Sequence, residues 1–322
     1  MIGIQLEDLR RQNCTISIFV HKIGHKVKFL ETNLQIMQGY TKGSWVMLDN
    51  YAVFGNPVEH SKSPDIHTAF AKANDEKISY KRQHIDIGAF EKEAQKFFKS
   101  GGKGLNVTLP FKLDAYNFAE NLTQRAKIAG AVNTLSVGYD GKIQGDTTDG
   151  IGITRDIVDN LGWAINGKKV LVLGAGGAVR GILQPILELL PQNVVIANRT
   201  IEKALKLSKI FADMGNLLGC DFQMLGGQQF DVVINGTSAT LSNKIPPLPR
   251  GLLSKNAVCY EMMYGSQQSI FLEWAKNNGA AQISDGLGML VEQAAESFYV
   301  WRGVRPETRA VISMLKKQIS LL

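Results

Sequence analysis

The apolar residues of this 322-residue chain switch repeatedly between the two-residue period of a strand and the longer period of a helix. Lys169 to Leu173 (KVLVL) is a continuous apolar run of the kind buried on both faces of a parallel sheet, and it predicts a strand. A glycine cluster follows at once. Val179 to Leu190 then reads as a helix, Asn193 to Ala197 as a strand and Ile201 to Met214 as a helix. Asp231 to Asn235 and Ala257 to Glu261 read as strands, and Ser266 to Asn278 as a helix. That order predicts a doubly wound α/β unit.

The upstream pattern is α/β as well. Tyr51 to Gly55 and Ile78 to Asp86 predict strands, with Ser63 to Asn74 between them as a helix that carries Pro64 at its first position. Ala89 to Ser100, with Phe90, Ala94, Phe97 and Phe98 on one face, predicts a helix ended by Gly101-Gly102. Gly104 to Val107 is a short strand, and Asn133 to Val137 pairs with Lys142 to Gly145 in a hairpin around Asp140-Gly141. Beyond Gly288 the pattern is helical, Met289 to Gly303 and then Pro306 to Ile319, and this pair is expected to return to the first unit.

Length at roughly 150 residues per domain gives two domains, and 44% hydrophobic residues suffice for two cores. Residues 1 to 46 show neither period. They carry six Lys or Arg against three acids, +3 of the net +7, and read as an appended leader outside the fold, with Met47 as the start of the folded chain. Their apolar stretch Ile16 to Val20 is too short for a signal-peptide core, and no run approaches the roughly 18 apolar residues of a membrane helix. Three cysteines, Cys14, Cys220 and Cys259, are too few and too dispersed for a disulfide framework or a metal site, which fits a reducing, cytoplasmic setting. The five histidines show no metal-binding spacing either, and His60 and His67 read as helix-start and packing residues. The positive balance is spread out, so it predicts a preference for small anions rather than for nucleic acid. Glycine is the informative excess: 32 residues, about one in ten against a typical 7%.

Gly174-Ala175-Gly176-Gly177-Ala178 stands between a strand and a helix, where backbone N–H groups and the helix dipole suit a pyrophosphate. Its spacing departs from G-x-G-x-x-G, since position 179 is Val and the next glycine is Gly181. At the end of the following strand an NAD enzyme would carry Asp or Glu for the ribose hydroxyl; here Asn198-Arg199-Thr200 stands instead, with Lys203 three residues on. A guanidinium suits a 2′-phosphate, so NADP is favoured over NAD. In the first unit, Ser61-Lys62-Ser63-Pro64 brings two hydroxyls and free backbone amides to a helix start, a setting for a carboxylate, and one of the serines is also expected to cap the helix. Asn106-Val107-Thr108-Leu109-Pro110-Phe111-Lys112 puts an amide, a hydroxyl and an ammonium just after a strand, and Asn133 and Asp149 follow later elements. A carboxylate beside a lysine in a cleft positions the ammonium for proton transfer.

Together with Phe54-Gly55-Asn56-Pro57, Gly130-Ala131-Val132-Asn133-Thr134, Thr148-Asp149-Gly150 and Asp285-Gly286-Leu287-Gly288-Met289-Leu290, these segments resemble the shikimate dehydrogenase family, in order, from Met47 to Leu322. The resemblance implies an N-terminal substrate-binding α/β domain (47–150 with 288–322), a Rossmann-like NADP-binding domain (151–287) and C-terminal helices packed back on the first. It implies NADPH-dependent, reversible reduction of 3-dehydroshikimate to shikimate. By the same resemblance Ser61 and Ser63 bind the substrate carboxylate, and Thr108, Asn133 and Asp149 bind the ring hydroxyls. Lys112 is the proton donor with Asp149 orienting it, Gln293 is a substrate-side amide, and Tyr264 lies between substrate and nicotinamide. Gly174 to Ala178, Asn198, Arg199, Thr200, Lys203 and Gly286 serve the cofactor. The chain departs from the family at Thr147, where Asn is usual, and at Glu261, where Asp is usual; neither is part of the Lys112–Asp149 pair. The implied protein is cytoplasmic, takes a small-molecule partner, binds neither nucleic acid nor membrane, holds no metal and is compatible with a homodimer. Two rivals remain open: an NAD-dependent quinate/shikimate dehydrogenase, which the two serines and Arg199 disfavour, and a non-catalytic ligand sensor, which has no need of Lys112.

Overall fold

The computed structural model describes residues 48–321; the leader expected over residues 1 to 46 lies outside them. The described chain opens with β1 (Asp49–Gly55), α1 (Ser63–Ala73), β2 (Ile78–His84), α2 (Phe90–Lys99) and β3 (Gly102–Val107). Next come α3 (Lys112–Phe118), β4 (Asn121–Leu122), α4 (Gln124–Ala129), β5 (Thr134–Val137), β6 (Ile143–Asp146) and α5 (Asp149–Arg155). These strands form one mixed six-stranded sheet, ordered β2-β1-β3-β5-β6-β4. β1 runs parallel to both β2 and β3, whereas β5 is antiparallel to β3 and to β6.

After a single π-helical turn over Asp156–Asn160 the pattern becomes regular: β7 (Lys169–Leu173), α6 (Gly177–Glu188), β8 (Asn193–Ala197), α7 (Ile201–Ile210), β9 (Leu217–Cys220) and β10 (Phe230–Asn235), then β11 (Leu253–Glu261), α8 (Ile270–Asn277) and β12 (Gln282–Ser284). The second sheet is parallel throughout and ordered β12-β11-β10-β7-β8-β9, so the chain reverses direction across the sheet between β7 and β10. The KVLVL run explains why it is covered on both faces. Val170 and Val172 enter one core with Ile182 and Ile186 of α6, and Leu171 and Leu173 enter another with Phe222 and Phe271.

The chain ends in α9 (Leu287–Arg302) and α10 (Arg309–Ile319), which return to the first sheet. Leu287, Val291, Ala294, Ala295 and Phe298 of α9 bury themselves with Ile66 and Phe70 of α1 and with Val311 and Leu315 of α10. Trp301 fixes the end of α9 by donating its indole N–H to the Leu135 carbonyl at 3.0 Å. No helix among the described residues is long and apolar enough to cross a membrane.

Several expected boundaries shift. The helix expected to Met214 ends at Ile210, and a separate short turn follows over Ala212–Met214. The helix expected from Ser266 starts only at Ile270, where the Ser269 hydroxyl caps it by accepting the Leu272 N–H at 3.3 Å. The helix expected from Pro306 starts at Arg309, and the strand expected to Asp86 stops at His84. α3, α4 and β4 are too short to show a period, and β9 and β12 are four- and three-residue edge strands.

His67 is a packing residue, as its sequence position suggests. It is fully buried, stacks on Tyr80 at 4.4 Å between ring centroids and lies among Phe70, Phe298 and Trp301. Neither ring nitrogen has a hydrogen-bond partner among the described residues, and burial pushes its pKa down to about 3. Below the ordinary histidine pKa near 6.5 the unfolded chain binds a proton that the folded chain refuses, so this contribution to stability is present at neutral pH and is lost as pH falls. From pH 7 to pH 5 the loss is about 2 kcal/mol. Denaturant titrations at both pH values should show His67→Phe losing about that much less than the wild type; equal losses in the two proteins would contradict the assignment.

Candidate active site

Sheet topology brings the candidate residues of the first unit to one edge. Because β1 and β3 are parallel, Ser61 and Ser63 after β1 emerge beside Thr108 and Lys112 after β3. β5 runs the other way, so Asn133, just before it, starts at that same edge; β6 ends there with Asp146 opposite Thr134, and Asp149 opens α5 three residues later.

At that edge Lys112 Nζ donates to Asp149 Oδ2 at 2.5 Å, and Asn133 Nδ2 donates to Asp149 Oδ1 at 2.9 Å. The Asp149 side chain is 12% exposed and that of Lys112 24%, so the pair is largely withdrawn from water but open on one side. The Asn133 amide is held in one orientation by a group that can only donate: the Thr148 backbone N–H gives its hydrogen to Asn133 Oδ1 at 3.0 Å, which turns Nδ2 toward Asp149. Gln293 Oε1, from α9, accepts from Asn133 Nδ2 at 3.2 Å and from the Thr148 hydroxyl at 3.3 Å. Lys112, Asn133, Asp149 and Gln293 thus form one connected cluster.

The two serines pair with each other. Ser61 Oγ donates to Ser63 Oγ at 3.1 Å and accepts the Ser63 N–H at 3.3 Å. Neither is the N-cap of α1: that position falls to Lys62, which makes no side-chain cap, because Ser63 is already the first helical residue. Arg82 holds the turn from outside, donating from Nε to the Ser61 carbonyl at 2.7 Å. Thr108 is fixed by its own N–H to Phe54 O at 2.9 Å. Tyr264 is half-buried against the α1–α9 core, and burial raises its phenol above the ordinary range. No hydrogen bond joins Tyr264 or the Thr108 hydroxyl to the lysine cluster among the described residues.

The second sheet provides a different setting. Gly174 turns the chain out of β7 at φ +103, a conformation that side chains rarely adopt, with its N–H on Ala197 O at 2.8 Å. Gly176, Gly177 and Ala178 are exposed at the start of α6, and a Cβ placed on either of these glycines would meet nothing within 4 Å. That open cradle, backed by helix N–H groups, fits a dinucleotide pyrophosphate. Asn198 closes the end of β8 by donating from Nδ2 to Thr200 O at 2.8 Å, leaving Arg199, Thr200 and Lys203 exposed; Arg199 and Lys203 make no ion pair among the described residues. Gly286 is buried in the turn that leads into α9, its N–H on Met263 O at 3.0 Å. The residues present therefore fit the nucleotide that the sequence implies.

Residues 53–135 match the shikimate dehydrogenase substrate binding domain, 156–243 the shikimate / quinate 5-dehydrogenase domain and 286–313 the shikimate 5′-dehydrogenase C-terminal domain. A shikimate dehydrogenase (NADP(+)) of Cellvibrio japonicus is 54% identical over 273 residues, 85% of this chain and 99% of that protein. The chain belongs to the shikimate dehydrogenase family. A second relative of that name, from Chromobacterium violaceum, is 52% identical across 85% of this chain and its own full length. Among solved structures, an Ael1 enzyme from Pseudomonas putida superimposes with a TM-score of 0.79 at 46% identity, over 83% of this chain and 98% of the other.

The two departures from the usual family sequence are both buried. Thr147 donates its N–H to Asp146 Oδ1 at 2.8 Å. Glu261 ends β11, accepting from Asn235 Nδ2 at 2.8 Å and from Met263 N–H at 3.2 Å, and burial raises its carboxyl above the usual range. Sequence reasoning singled out neither Thr134 nor Thr148 for a role of its own, although both sit inside the quoted family segments. It also missed Ser297, whose signal was available: four residues after Gln293 it lies on the same face of α9.

Proposed function

We infer that the chain is an NADP-dependent shikimate dehydrogenase, interconverting 3-dehydroshikimate and shikimate in the route to chorismate and the aromatic amino acids. The observation that carries this reading is the part-buried Lys112–Asp149–Asn133 cluster at the first sheet's edge, within a family fold that also holds a glycine turn and Arg199. In this reading 47–150 with 288–322 is the substrate half and 151–287 the cofactor half, which the packing of α9 on α1 supports. The same reading carries a cytoplasmic location and no binding to nucleic acid or membrane, and is compatible with a homodimer.

The Ser61 and Ser63 hydroxyls receive the substrate carboxylate, each hydrogen bond to a charged group being worth about 1.5–3 kcal/mol. Thr108, Asn133 and Asp149 hold the ring hydroxyls, with Gln293 and Tyr264 beside them. Lys112 delivers the proton from Nζ to the ketone oxygen, and Asp149 Oδ2 keeps the ammonium aimed there while Oδ1 stays on Asn133. Gly174, Ala175, Gly176, Gly177 and Ala178 would hold the NADP pyrophosphate, Asn198, Arg199, Thr200 and Lys203 the adenosine end, and Gly286 the opposite end. Bound NADPH supplies the hydride for the carbonyl carbon. A lysine that only bound substrate would chiefly set KM, whereas a proton donor sets kcat.

Oxidation of shikimate and of quinate, each measured with NADP+ and NAD+, tests the function. Shikimate with NADP+ should be the strongly preferred pair, and the double variant Arg199→Ala with Lys203→Ala should weaken NADPH about ten- to a hundredfold while leaving NADH nearly unchanged. Preferred use of quinate or NAD+ by the wild type would contradict the reading. For the chemical step, Lys112→Ala should lower kcat by about 10²- to 10⁴-fold with KM for shikimate within a few-fold of wild type. A near-normal kcat with only KM raised would move Lys112 from chemistry to binding.

A further inference from the structure

Behind the Asn133 amide lies a file of buried polar groups that the reaction as described does not use. Tyr80 donates its hydroxyl hydrogen to Asn106 Oδ1 at 2.7 Å. Asn106 Nδ2 faces Ser297 Oγ at 3.0 Å, Thr134 Oγ1 at 3.2 Å and Asn133 O at 3.2 Å. Ser297 Oγ and Thr134 Oγ1 are 2.8 Å apart, and Thr134 Oγ1 donates to Asn133 Oδ1 at 2.8 Å. Ser297 is fully buried on α9, 191 residues away in sequence from Asn106.

Counting hydrogens gives this file a direction. Tyr80 supplies the hydrogen at Asn106 Oδ1, so Asn106 presents its NH₂ to the two hydroxyls. A hydroxyl has one hydrogen to give. If Thr134 spends its hydrogen on Asn133 Oδ1, its oxygen must accept, and the nearest donor is Ser297. Ser297 has two other candidates for its hydrogen, Gln293 O at 3.1 Å and the Thr148 hydroxyl at 3.2 Å, but Thr134 is the shortest. Asn133 Oδ1 then receives hydrogens from Thr134 and from the Thr148 N–H, with the Thr148 hydroxyl a further donor at 3.2 Å, and the amide NH₂ is held toward Asp149 from behind as well as from the side. We propose that Ser297 is a positioning residue for the reaction, acting through Thr134 to lock the Asn133 amide against Asp149. The proposal rests on the reading of Asn133 and Asp149 as site residues and adds a fully buried group on α9 that acts only through Thr134.

The test is steady-state shikimate oxidation by the wild type, Ser297→Ala, Thr134→Val, the double variant and Thr134→Ser. Ser297→Ala leaves Asn106 with two other acceptors, so it should fold; it is expected to lower kcat about fivefold or more with KM for NADP+ unchanged. Thr134→Val should do the same, Thr134→Ser should restore the rate because it keeps the hydroxyl, and the double variant should be little worse than Thr134→Val alone, since both substitutions interrupt one file. If Ser297→Ala fails to fold, the contrast between Thr134→Val and Thr134→Ser decides. Wild-type kcat in Ser297→Ala, multiplicative losses in the double variant, or equal loss in Thr134→Ser and Thr134→Val would overturn the proposal. A wild type without shikimate oxidation would instead bring down the functional reading, and the role of Ser297 with it.

Discussion

A carboxylate withdrawn from water is costly unless fixed donors meet it, and Asp149, its side chain largely buried, sets that condition for the whole site. Its two oxygens have separate partners, Lys112 on one and Asn133 on the other. Meeting that requirement takes three separate chain segments at one sheet edge. Lys112 follows parallel β3, Asn133 precedes antiparallel β5, and Asp149 follows β6, so the mixed strand directions of this sheet bring the three to the same end.

The same carboxylate is clamped by packing. α5, which Asp149 opens, lies between α6, which follows the glycine turn, and α9, which carries Gln293 and Ser297. A Cβ at Gly150 would fall 2.7 Å from Gly181 O, and one at Gly152 would fall 2.8 Å from Met289 O, so the helix can approach its neighbours this closely only with glycine at both positions. An ion network braces the other side. Arg125 grips Asp146 with two hydrogen bonds, at 2.7 and 2.6 Å, and reaches Glu296 of α9 at 3.0 Å; Arg155 meets Glu296 at 2.7 Å, and Arg305 meets Glu292 at 2.7 Å. The end of β6, the end of α5 and α9 are thereby held together beside the Lys112–Asp149 pair.

Much of this was legible from the chain alone, and where it was not the reasons are physical. KVLVL announces a strand because both faces are buried, and the glycines after it announce a turn because their position precedes a helix. α5 was illegible because Gly150 and Gly152 lower helix propensity; they are retained for close approach, which no local pattern reveals. α3 and α4 have seven and six residues, fewer than a helical period needs to declare itself. Lys112, Asn133, Asp149 and Gln293 were found through motifs, but their convergence depends on strand directions that the sequence does not state. Ser297 is legible only as a neighbour of Gln293 on α9, and Tyr80 not at all, because a buried hydroxyl on a strand looks like any packed polar group until its partners from other elements are known.

Whether Lys112 and Asp149 act as one unit is decided by a double-mutant cycle. The quantity is kcat for shikimate oxidation by Lys112→Ala, Asp149→Asn and the two combined. Groups that act as a unit lose most of their effect at the first removal, so the double variant should lie within about threefold of the slower single variant. A double variant slowed by the product of the two single losses would mean that lysine and aspartate contribute independently, and would contradict the shared role that their 2.5 Å hydrogen bond implies.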